Sequence, residues 1–165
     1  MITVCSWRSV VMWQSVRIAE ASENAGMRHW SQSNGKWVFC KHKERDTYEV
    51  PGGHRETGEN ILETAKRELQ EETGAVKYEI KPICVYSVIG KTRVNDTGEE
   101  TFGMLYFAEI NEFAKELHCE MEKVILMDEL PENWTYPLIQ PKLIEKYKQI
   151  EKQSYSQIQL VENRL

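Results

Sequence analysis

Residues 52–75 read GGHRETGENILETAKRELQEETGA, and this stretch combines a glycine pair, a helix pattern and six glutamates. Asn60 followed three residues later by Glu63 has the spacing of a capping box, in which each residue bonds the backbone N–H of the other. The pattern predicts a helix that begins near Ile61. Gly74 predicts its end, because glycine readily adopts the left-handed conformation that closes a helix.

Two faces of the predicted helix carry different side chains. The apolar face has the i, i+3, i+7 spacing of a helix that packs on a sheet, and it consists of Leu62, Ala65 and Leu69. The acidic face has the i, i+3, i+4 spacing and consists of Glu68, Glu71 and Glu72. At about 100° per residue the two faces adjoin, so we expect the carboxylates at the seam between helix and sheet.

Three clustered carboxylates repel one another, by a few tenths of a kcal/mol per exposed pair. Arg67 is four residues from both Glu63 and Glu71, so its guanidinium can fork between the two carboxylates. A divalent cation would offset more of the repulsion, and an oxygen-only ligand set suits magnesium or manganese better than zinc. A glutamate-rich helix face is also typical of plain solvated surface, so the charges alone leave both interpretations open.

The order of residues around the acidic face resembles the signature of the Nudix hydrolases. Gly53, Glu59 and the run Arg67–Gly74 (RELQEETG) keep that signature's spacing, and Ala75 stands where the family prefers a bulkier aliphatic residue. The match at every fixed polar and glycine position favours a functional site over solvated surface. The fold that the resemblance implies is an α/β/α sandwich around a mixed sheet.

The resemblance also implies a role for each matched position. The implied cofactor is Mg²⁺, with Mn²⁺ as the alternative, and the backbone carbonyl of Gly52 is a further implied ligand. Glu59 is expected to contact the metal through water or another ligand, and Arg67 to orient the glutamates by ion pairing. The implied metal-binding residues are Gly52, Glu59, Glu68, Glu71 and Glu72. The implied catalytic residues are Arg67, Glu68, Glu71, Glu72 and, from a second acidic patch, Glu120.

The activity implied by the family is hydrolysis of a nucleoside diphosphate linked to a further group, with water attacking one phosphorus of a pyrophosphate. Tyr48–Gly53 and Asp128–Trp134 most resemble the MutT-type members, which cleave nucleoside triphosphates, including oxidised purine forms, to monophosphate and pyrophosphate. Other expected substrates are ADP-ribose, dinucleoside polyphosphates or an RNA 5′ end. A non-catalytic nucleotide sensor is the remaining alternative, and the intact glutamate set favours catalysis over it.

Other enzyme classes fit the sequence poorly. Gly53 and Gly58 have the spacing of two P-loop glycines, but Glu59 and Asn60 stand where that motif requires Lys and then Ser or Thr. The metalloprotease motif HExxH is absent from the sequence. A P-loop kinase or ATPase and a zinc protease are therefore both disfavoured.

Length and composition predict one compact domain. The chain has 165 residues, of which 41% are hydrophobic, and a net charge of -5. The negative charge disfavours binding of long nucleic acid, and the partner that the family resemblance implies is a small-molecule nucleotide. No apolar run of about 18 residues predicts a membrane span, and four scattered cysteines fit a reduced cytoplasmic chain. Monomer and homodimer both remain open.

The chain divides into three predicted parts. Residues 1–27 form an N-terminal extension or first strand, 28–152 the Nudix domain, and 153–165 a C-terminal tail. Within the domain, Asn34–Gly35 is a strong hairpin signal between strands at 28–33 and 36–42.

Basic residues follow the predicted hairpin. Lys41, His42, Lys43 and Arg45 are either a solvated strand end or a surface that meets substrate phosphates. We therefore predict Lys41, Arg45 and Gly53 as substrate-binding residues. A short strand over 48–51 is expected to deliver the glycine pair to the site.

Later segments carry weaker signals. The predicted elements are one or two strands at 76–89 broken near Pro82, a substrate-gripping loop at 91–100, a strand at 101–110, a loop or helical turn at 111–117, a strand at 124–127 and a helix at 141–152. Glu120 and Glu122 are candidates for an extra catalytic glutamate or are ordinary exposed residues. Trp134 and Tyr136 either stack on a base or, the favoured alternative, pack under the last helix.

Overall fold

The computed structural model describes residues 5–7, 10–13, 26–88, 98–116 and 121–162, and these ranges contain seven strands and two helices. The strands are β1 (Cys5–Trp7), β2 (Val10–Trp13), β3 (Gly26–Ser33), β4 (Lys36–His42), β5 (Ala75–Val88), β6 (Thr101–Phe113) and β7 (Met121–Met127). The helices are α1 (Ile61–Thr73) and α2 (Gln140–Glu162). All described strands belong to one sheet in the order β1-β2-β5-β6-β3-β4-β7. The pair β3–β6 is parallel and the others are antiparallel, so the predicted mixed sheet is confirmed.

The predicted hairpin joins β3 to β4. Asn34 and Gly35 have φ values of 52° and 75°, and positive φ at both central residues is what a type I′ turn requires. Ser33 pairs with Lys36 in the register set by this turn. Neighbouring side chains of β4 lie on opposite faces of the sheet, since Phe39 packs in one core cluster and Val38 in another.

In the described part of the chain, one helix lies on each face of the sheet. On one face, α2 contributes Leu143, Ile144 and Tyr147 to a cluster with Trp30, Phe39 and Leu105. On the other face, α1 contributes Ile61 and Ala65 to a cluster with Met27, Val85 and Met104, and Leu69 to a cluster with Val38 and Ile110. The predicted α/β/α sandwich is therefore confirmed.

Helix α1 begins and ends as predicted. The Oδ1 atom of Asn60 accepts from Leu62 N at 3.1 Å and Glu63 N at 3.0 Å, and Glu63 Oε2 accepts from Asn60 N at 2.9 Å. Gly74 closes the helix with a φ of 69°. The capping box thus satisfies the backbone donors that the first turn leaves free.

The apolar face of α1 differs from the predicted one at its first position. Leu62 is 39% exposed, whereas Ile61 is buried with Ala65 and Leu69. The buried face therefore follows an i, i+4, i+8 row, which is tilted relative to the predicted row. The prediction of Leu62 is wrong. Ile61 and Leu62 are adjacent apolar residues, and either of them can begin an apolar row along the helix.

The segment before α1 is not the predicted short strand. Strand β3 pairs with β4 only at Gln32 and Ser33, next to the turn that joins them. Farther from the turn, the segment that leads to the glycine pair lies between the two strands. Its carbonyls at Pro51 and Gly53 accept from β3 backbone donors at 2.7 and 2.8 Å, while Glu49 exchanges two backbone bonds with Cys40 of β4. Isolated bridges replace a strand because the segment crosses from one neighbour to the other.

Elements after α1 are longer than predicted. Of the predicted one or two strands at 76–89, residues 76–88 lie in the single strand β5, with a register irregularity between Pro82 and Cys84, and residue 89 lies outside the described ranges. Strand β6 extends to Phe113, so the predicted loop or turn at 111–117 is wrong for its first three residues. Helix α2 continues to Glu162, ten residues beyond its predicted end.

The N-terminal part described by the structure is extended. Val10–Trp13, within the predicted N-terminal extension or first strand, forms β2 and pairs with β5. The predicted loop at 91–100 falls largely on residues 91–97, which lie outside the described ranges, as does Glu120. Among the described helices, none is long and apolar enough to cross a membrane.

Candidate active site

The acidic face of α1 lies against the glycine pair. The backbone N–H of Gly52 donates to Oε2 of Glu72 at 2.8 Å, across 20 residues of sequence. A Cβ atom placed on Gly53 would lie 2.0 Å from Oε1 of Glu68, so only glycine leaves room for that carboxylate. Both glycines thus bring backbone directly onto the glutamates, as their sequence position predicted.

Arg67 holds a cluster of carboxylates. Its Nε donates to Glu59 at 2.7 Å, and its Nη1 donates to Glu68 at 2.9 Å and to Glu71 at 3.1 Å. Nη2 adds a bond to the carbonyl of His54 at 3.2 Å. These bonds raise the pKa of Arg67, and the bond from Arg67 is the main reason that the pKa of Glu59 falls to about 2.

The predicted fork of Arg67 is right at one end and wrong at the other. Glu71 accepts a bond from Arg67, but Glu63 bonds to the N-terminus of the helix instead. Glu59, eight residues from Arg67, takes the place expected of Glu63. Periodicity within the helix cannot find this contact, because Glu59 precedes the helix.

The three helix glutamates have different surroundings. Burial is the main cause that raises the pKa of Glu72, to about 8, and burial also raises the pKa of Glu68. The Glu71 side chain is 54% exposed, against 13% for Glu68. The cluster therefore runs from a half-buried carboxylate at Glu72 to a solvated one at Glu71.

The donor chemistry of this cluster fits a hard divalent cation. Carboxylate oxygens on one helix face are suitable ligands for magnesium or manganese, and a carboxylate that is partly removed from solvent, such as Glu72, gains more from a positive partner than an exposed one. Within the described ranges, no three His, Cys, Asp or Glu side chains converge closely enough to hold an ion. Arg67 draws Glu68 and Glu71 to one side while Gly52 holds Glu72, so metal binding requires these side chains to reorient.

The predicted basic residues are paired with acids. Lys41 Nζ lies 2.6 Å from Glu122 and 3.5 Å from Asp46, and Arg45 lies 3.4 Å from Glu49. The bond from Lys41 is the main cause that lowers the pKa of Glu122, a candidate catalytic glutamate. Substrate phosphates would therefore compete with existing carboxylate partners at Lys41 and Arg45.

Two residues near the site were missed by sequence reasoning. The Glu49 side chain is 8% exposed, and its charge contributes to the raised pKa of Glu72. Arg28 on β3 lies beside Gly52, where an added Cβ would come within 2.7 Å of its Nη1 atom. Glu49 directly precedes Val-Pro-Gly-Gly, which is a usable signal, whereas nothing in the local sequence distinguishes Arg28.

The two aromatic residues before α2 have different environments. Trp134 packs edge-on against Phe39 with ring centroids 5.5 Å apart, so the packing role is confirmed for this residue. The Tyr136 ring faces the guanidinium of Arg28, whose Cζ lies 5.6 Å from the ring centroid.

Comparisons with known proteins agree with this architecture. The profile of the NUDIX domain matches residues 24–147. A relative named "Putative 8-oxo-dGTP diphosphatase YtkD", from Bacillus subtilis (strain 168), is 39% identical over 100 residues, which are 60% of this chain and 59% of the relative. The chain thus spans little more than half the length of that curated relative.

Solved structures of other proteins also resemble this chain. The pyrophosphohydrolase BsRppH of Bacillus subtilis is 26% identical, with a TM-score of 0.66 over 90% of this chain and 96% of that one. A Nudix hydrolase from Nitrosomonas europaea is 20% identical, with a TM-score of 0.61 over 77% of this chain and 89% of that one. The predicted family is confirmed, and the chain belongs to the family of NUDIX domain proteins.

Proposed function

We propose that this protein is a magnesium-dependent hydrolase that converts nucleoside triphosphates, including oxidised purine forms, to monophosphate and pyrophosphate. The observation that carries the proposal is the contact of Glu68 and Glu72, on the acidic face of α1, with the glycine pair Gly52–Gly53. The similarity to YtkD, whose name gives 8-oxo-dGTP as its substrate, supports the choice among nucleotides.

The chemistry is an attack of water on one phosphorus of the pyrophosphate linkage. Bound magnesium would neutralise charge on the phosphate oxygens, which is most of what phosphoryl-type substitution needs from a protein. Glu68, Glu71 and Glu72 supply the ligand oxygens, and one carboxylate of the cluster accepts the proton of the attacking water. Glu120 is kept as a further proposed catalytic residue.

The remaining predicted residues support this cluster. Arg67 fixes Glu68 and Glu71 by charge-assisted hydrogen bonds, and Glu59 fixes Arg67 in turn. Gly53 leaves space for the Glu68 carboxylate, and the carbonyl of Gly52 is a proposed ligand. Lys41 and Arg45 are proposed to contact substrate phosphates by exchanging their present acidic partners.

The test is release of pyrophosphate and phosphate from a substrate panel, with magnesium and with chelator. The panel contains normal nucleoside triphosphates, oxidised dGTP, ADP-ribose and dinucleoside polyphosphates. Magnesium-dependent release of pyrophosphate from triphosphates is the expected result. Activity on another panel member alone would replace the substrate and keep the reaction class, whereas binding of nucleotide without any cleavage would favour a sensor.

Two variants on the same helix make this test specific. Glu71→Gln is expected to lower kcat at least 100-fold, because it removes a proposed metal ligand. Glu63→Gln is the matched control, because glutamine also serves at this position of a capping box. Equal losses in both variants would argue against the proposed role of Glu71.

A further inference from the structure

Arg28 lies between the glycine pair and an aromatic ring. Its guanidinium faces the ring of Tyr136, with 5.6 Å between Cζ and the ring centroid. On its other side, an added Cβ on Gly52 would come within 2.7 Å of both Cδ and Nη1. The absence of a side chain at Gly52 therefore lets Arg28 lie directly against the turn that contacts Glu72.

The donors of Arg28 are largely unused. Nη1 donates to the carbonyl of Met27 in the same strand at 3.0 Å, and no described carboxylate lies within ion-pair distance of the guanidinium. A guanidinium carries five N–H donors, so most of the fork remains available. By contrast, Arg67, Arg45 and Lys41 all have carboxylate partners.

Arg28 is linked to the acidic cluster through Gly52. The Arg28 side chain lies against Gly52, and the backbone N–H of Gly52 donates to Glu72 at 2.8 Å. A cation in this place, with no described carboxylate bonded to it, can receive another anion beside the glutamates. Phosphate oxygens match a planar guanidinium fork well.

We propose that Arg28, supported by Tyr136 and the Gly52 backbone, binds a phosphate group of the substrate. This inference rests on the proposed function, because it assigns the phosphate group to the substrate of the same site. Arg28 would hold phosphate oxygens from the β3 side, while the glutamates of α1 hold the metal from the other. The Tyr136 ring contacts the guanidinium, and a guanidinium that is already held in place loses less entropy when the fork binds.

A different role for Arg28 gives a different result. If its charge serves only to offset the charges of Glu68 and Glu72, its removal strengthens binding of a divalent cation. Affinity for pyrophosphate would then remain the same or increase. Measurements of both affinities in the same variants therefore separate the two roles.

The experiment is titration calorimetry of the full chain with inorganic pyrophosphate in magnesium, and Mn²⁺ titration followed by electron paramagnetic resonance. We expect Arg28→Gln to weaken pyrophosphate binding at least 10-fold, and Arg28→Lys, which keeps the charge but loses the fork, to weaken it 3- to 10-fold. Tyr136→Ala should weaken it a few-fold, whereas Tyr136→Phe should not. Lys36→Gln is the matched charge control, because Lys36 pairs with Asp128 at the hairpin turn, at the opposite end of β3 from Arg28.

The outcomes decide the proposal in every case. Unchanged pyrophosphate affinity in Arg28→Gln, or a wild type that does not bind pyrophosphate, overturns it, as does stronger Mn²⁺ binding without a loss for pyrophosphate. If Arg28→Gln fails to fold, the comparison of Arg28→Lys with Lys36→Gln decides. Binding needs no turnover, so a wild type that binds pyrophosphate through Arg28 yet cleaves nothing in the panel overturns the proposed function alone.

Discussion

The backbone N–H of Gly52 and the carboxylate of Glu72 are joined by a 2.8 Å hydrogen bond. Gly52 belongs to the segment before α1, which lies between strands β3 and β4 in the sheet. The bond therefore links this segment to the C-terminal end of helix α1. It also gives the half-buried carboxylate of Glu72 a neutral donor. Partial burial is the main cause that raises the pKa of Glu72, to about 8, and the bond from Gly52 acts in the opposite direction. The position of the glycine pair is therefore coupled to the position and protonation of the Glu72 carboxylate.

Gly53→Ala is expected to lower activity strongly with a smaller effect on stability. The added Cβ would lie 2.0 Å from Oε1 of Glu68, so that carboxylate must leave its place beside Arg67. We expect at least a 100-fold loss of kcat/KM and a loss of about 1–3 kcal/mol in unfolding free energy, as for other overpacked sites. Steady-state kinetics and urea unfolding measure the two effects.

Gly26→Ala is the matched control for Gly53→Ala. A Cβ on Gly26 would meet Gly53 O at 3.5 Å and the His54 ring at 3.8 Å, which are ordinary contact distances. Activity close to that of the wild type is expected. If Gly53→Ala were equally active, the carboxylate of Glu68 would not need its present position.

Local signals in the sequence predicted the elements that depend on near neighbours. The hairpin followed from Asn34–Gly35 and the start of α1 from Asn60 and Glu63, because turn dihedrals and caps are set within four residues. The acidic face followed from helical periodicity in the same way. Local patterns alone therefore predict the acidic face of the candidate site and the helix that carries it.

Contacts between distant segments were not predictable in this way. The crossing segment before α1 replaced a predicted strand because β3 and β4 separate after two paired positions, which no local pattern records. Glu59 rather than Glu63 bonds to Arg67 because the loop folds back over the helix. Arg28 reaches the site from β3 only through the three-dimensional placement of Gly52 and Tyr136.

Magnesium is expected to stabilise the wild type but not Glu71→Gln. An ion that binds only the folded state adds about 1.4 kcal/mol to the unfolding free energy at ten times its Kd. Without metal, Glu71→Gln should change stability by less than about 1 kcal/mol, because it removes one ion pair whose acidic partner is 54% exposed. Thermal unfolding with magnesium and with chelator tests both statements.

Two results of the same melting experiment would contradict these expectations. An equal rise in Tm with magnesium for Glu71→Gln and wild type would place the ion elsewhere. Unfolding of Glu71→Gln in chelator would assign Glu71 a structural role.

Glu59→Gln is expected to destabilise the protein most at neutral pH. The bond from Arg67 lowers the pKa of Glu59 from 4.5 to about 2, so its stabilising effect is present above pH 4.5 and lost as pH falls towards 2. We expect a loss of about 1 kcal/mol at pH 7, allowing for solvent screening. The difference from wild type in urea unfolding should shrink between pH 4.5 and 3. Glu56→Gln is the control, since Glu56 is 3.9 Å from Arg67 and 69% exposed; an equal loss there would remove the special role of Glu59.

His29 is expected to make the fold sensitive to mild acid. Its ring is fully buried, its Nε2–H donates to Ala65 O of α1 at 2.5 Å, and Nδ1 has no partner among the described residues. Burial lowers its pKa from 6.5 to about 4, so the unfolded chain binds a proton more readily than the folded chain between these values. The stabilising effect of a neutral His29 is therefore complete above pH 6.5 and lost as pH falls to 4, a loss of about 3 kcal/mol. Urea unfolding from pH 7 to 4 gives the dependence of the unfolding free energy on pH. The slope of this dependence should be smaller in His29→Gln than in wild type, by the equivalent of nearly one bound proton. Identical slopes in the two proteins would mean that the folded chain accepts a proton at His29 without cost.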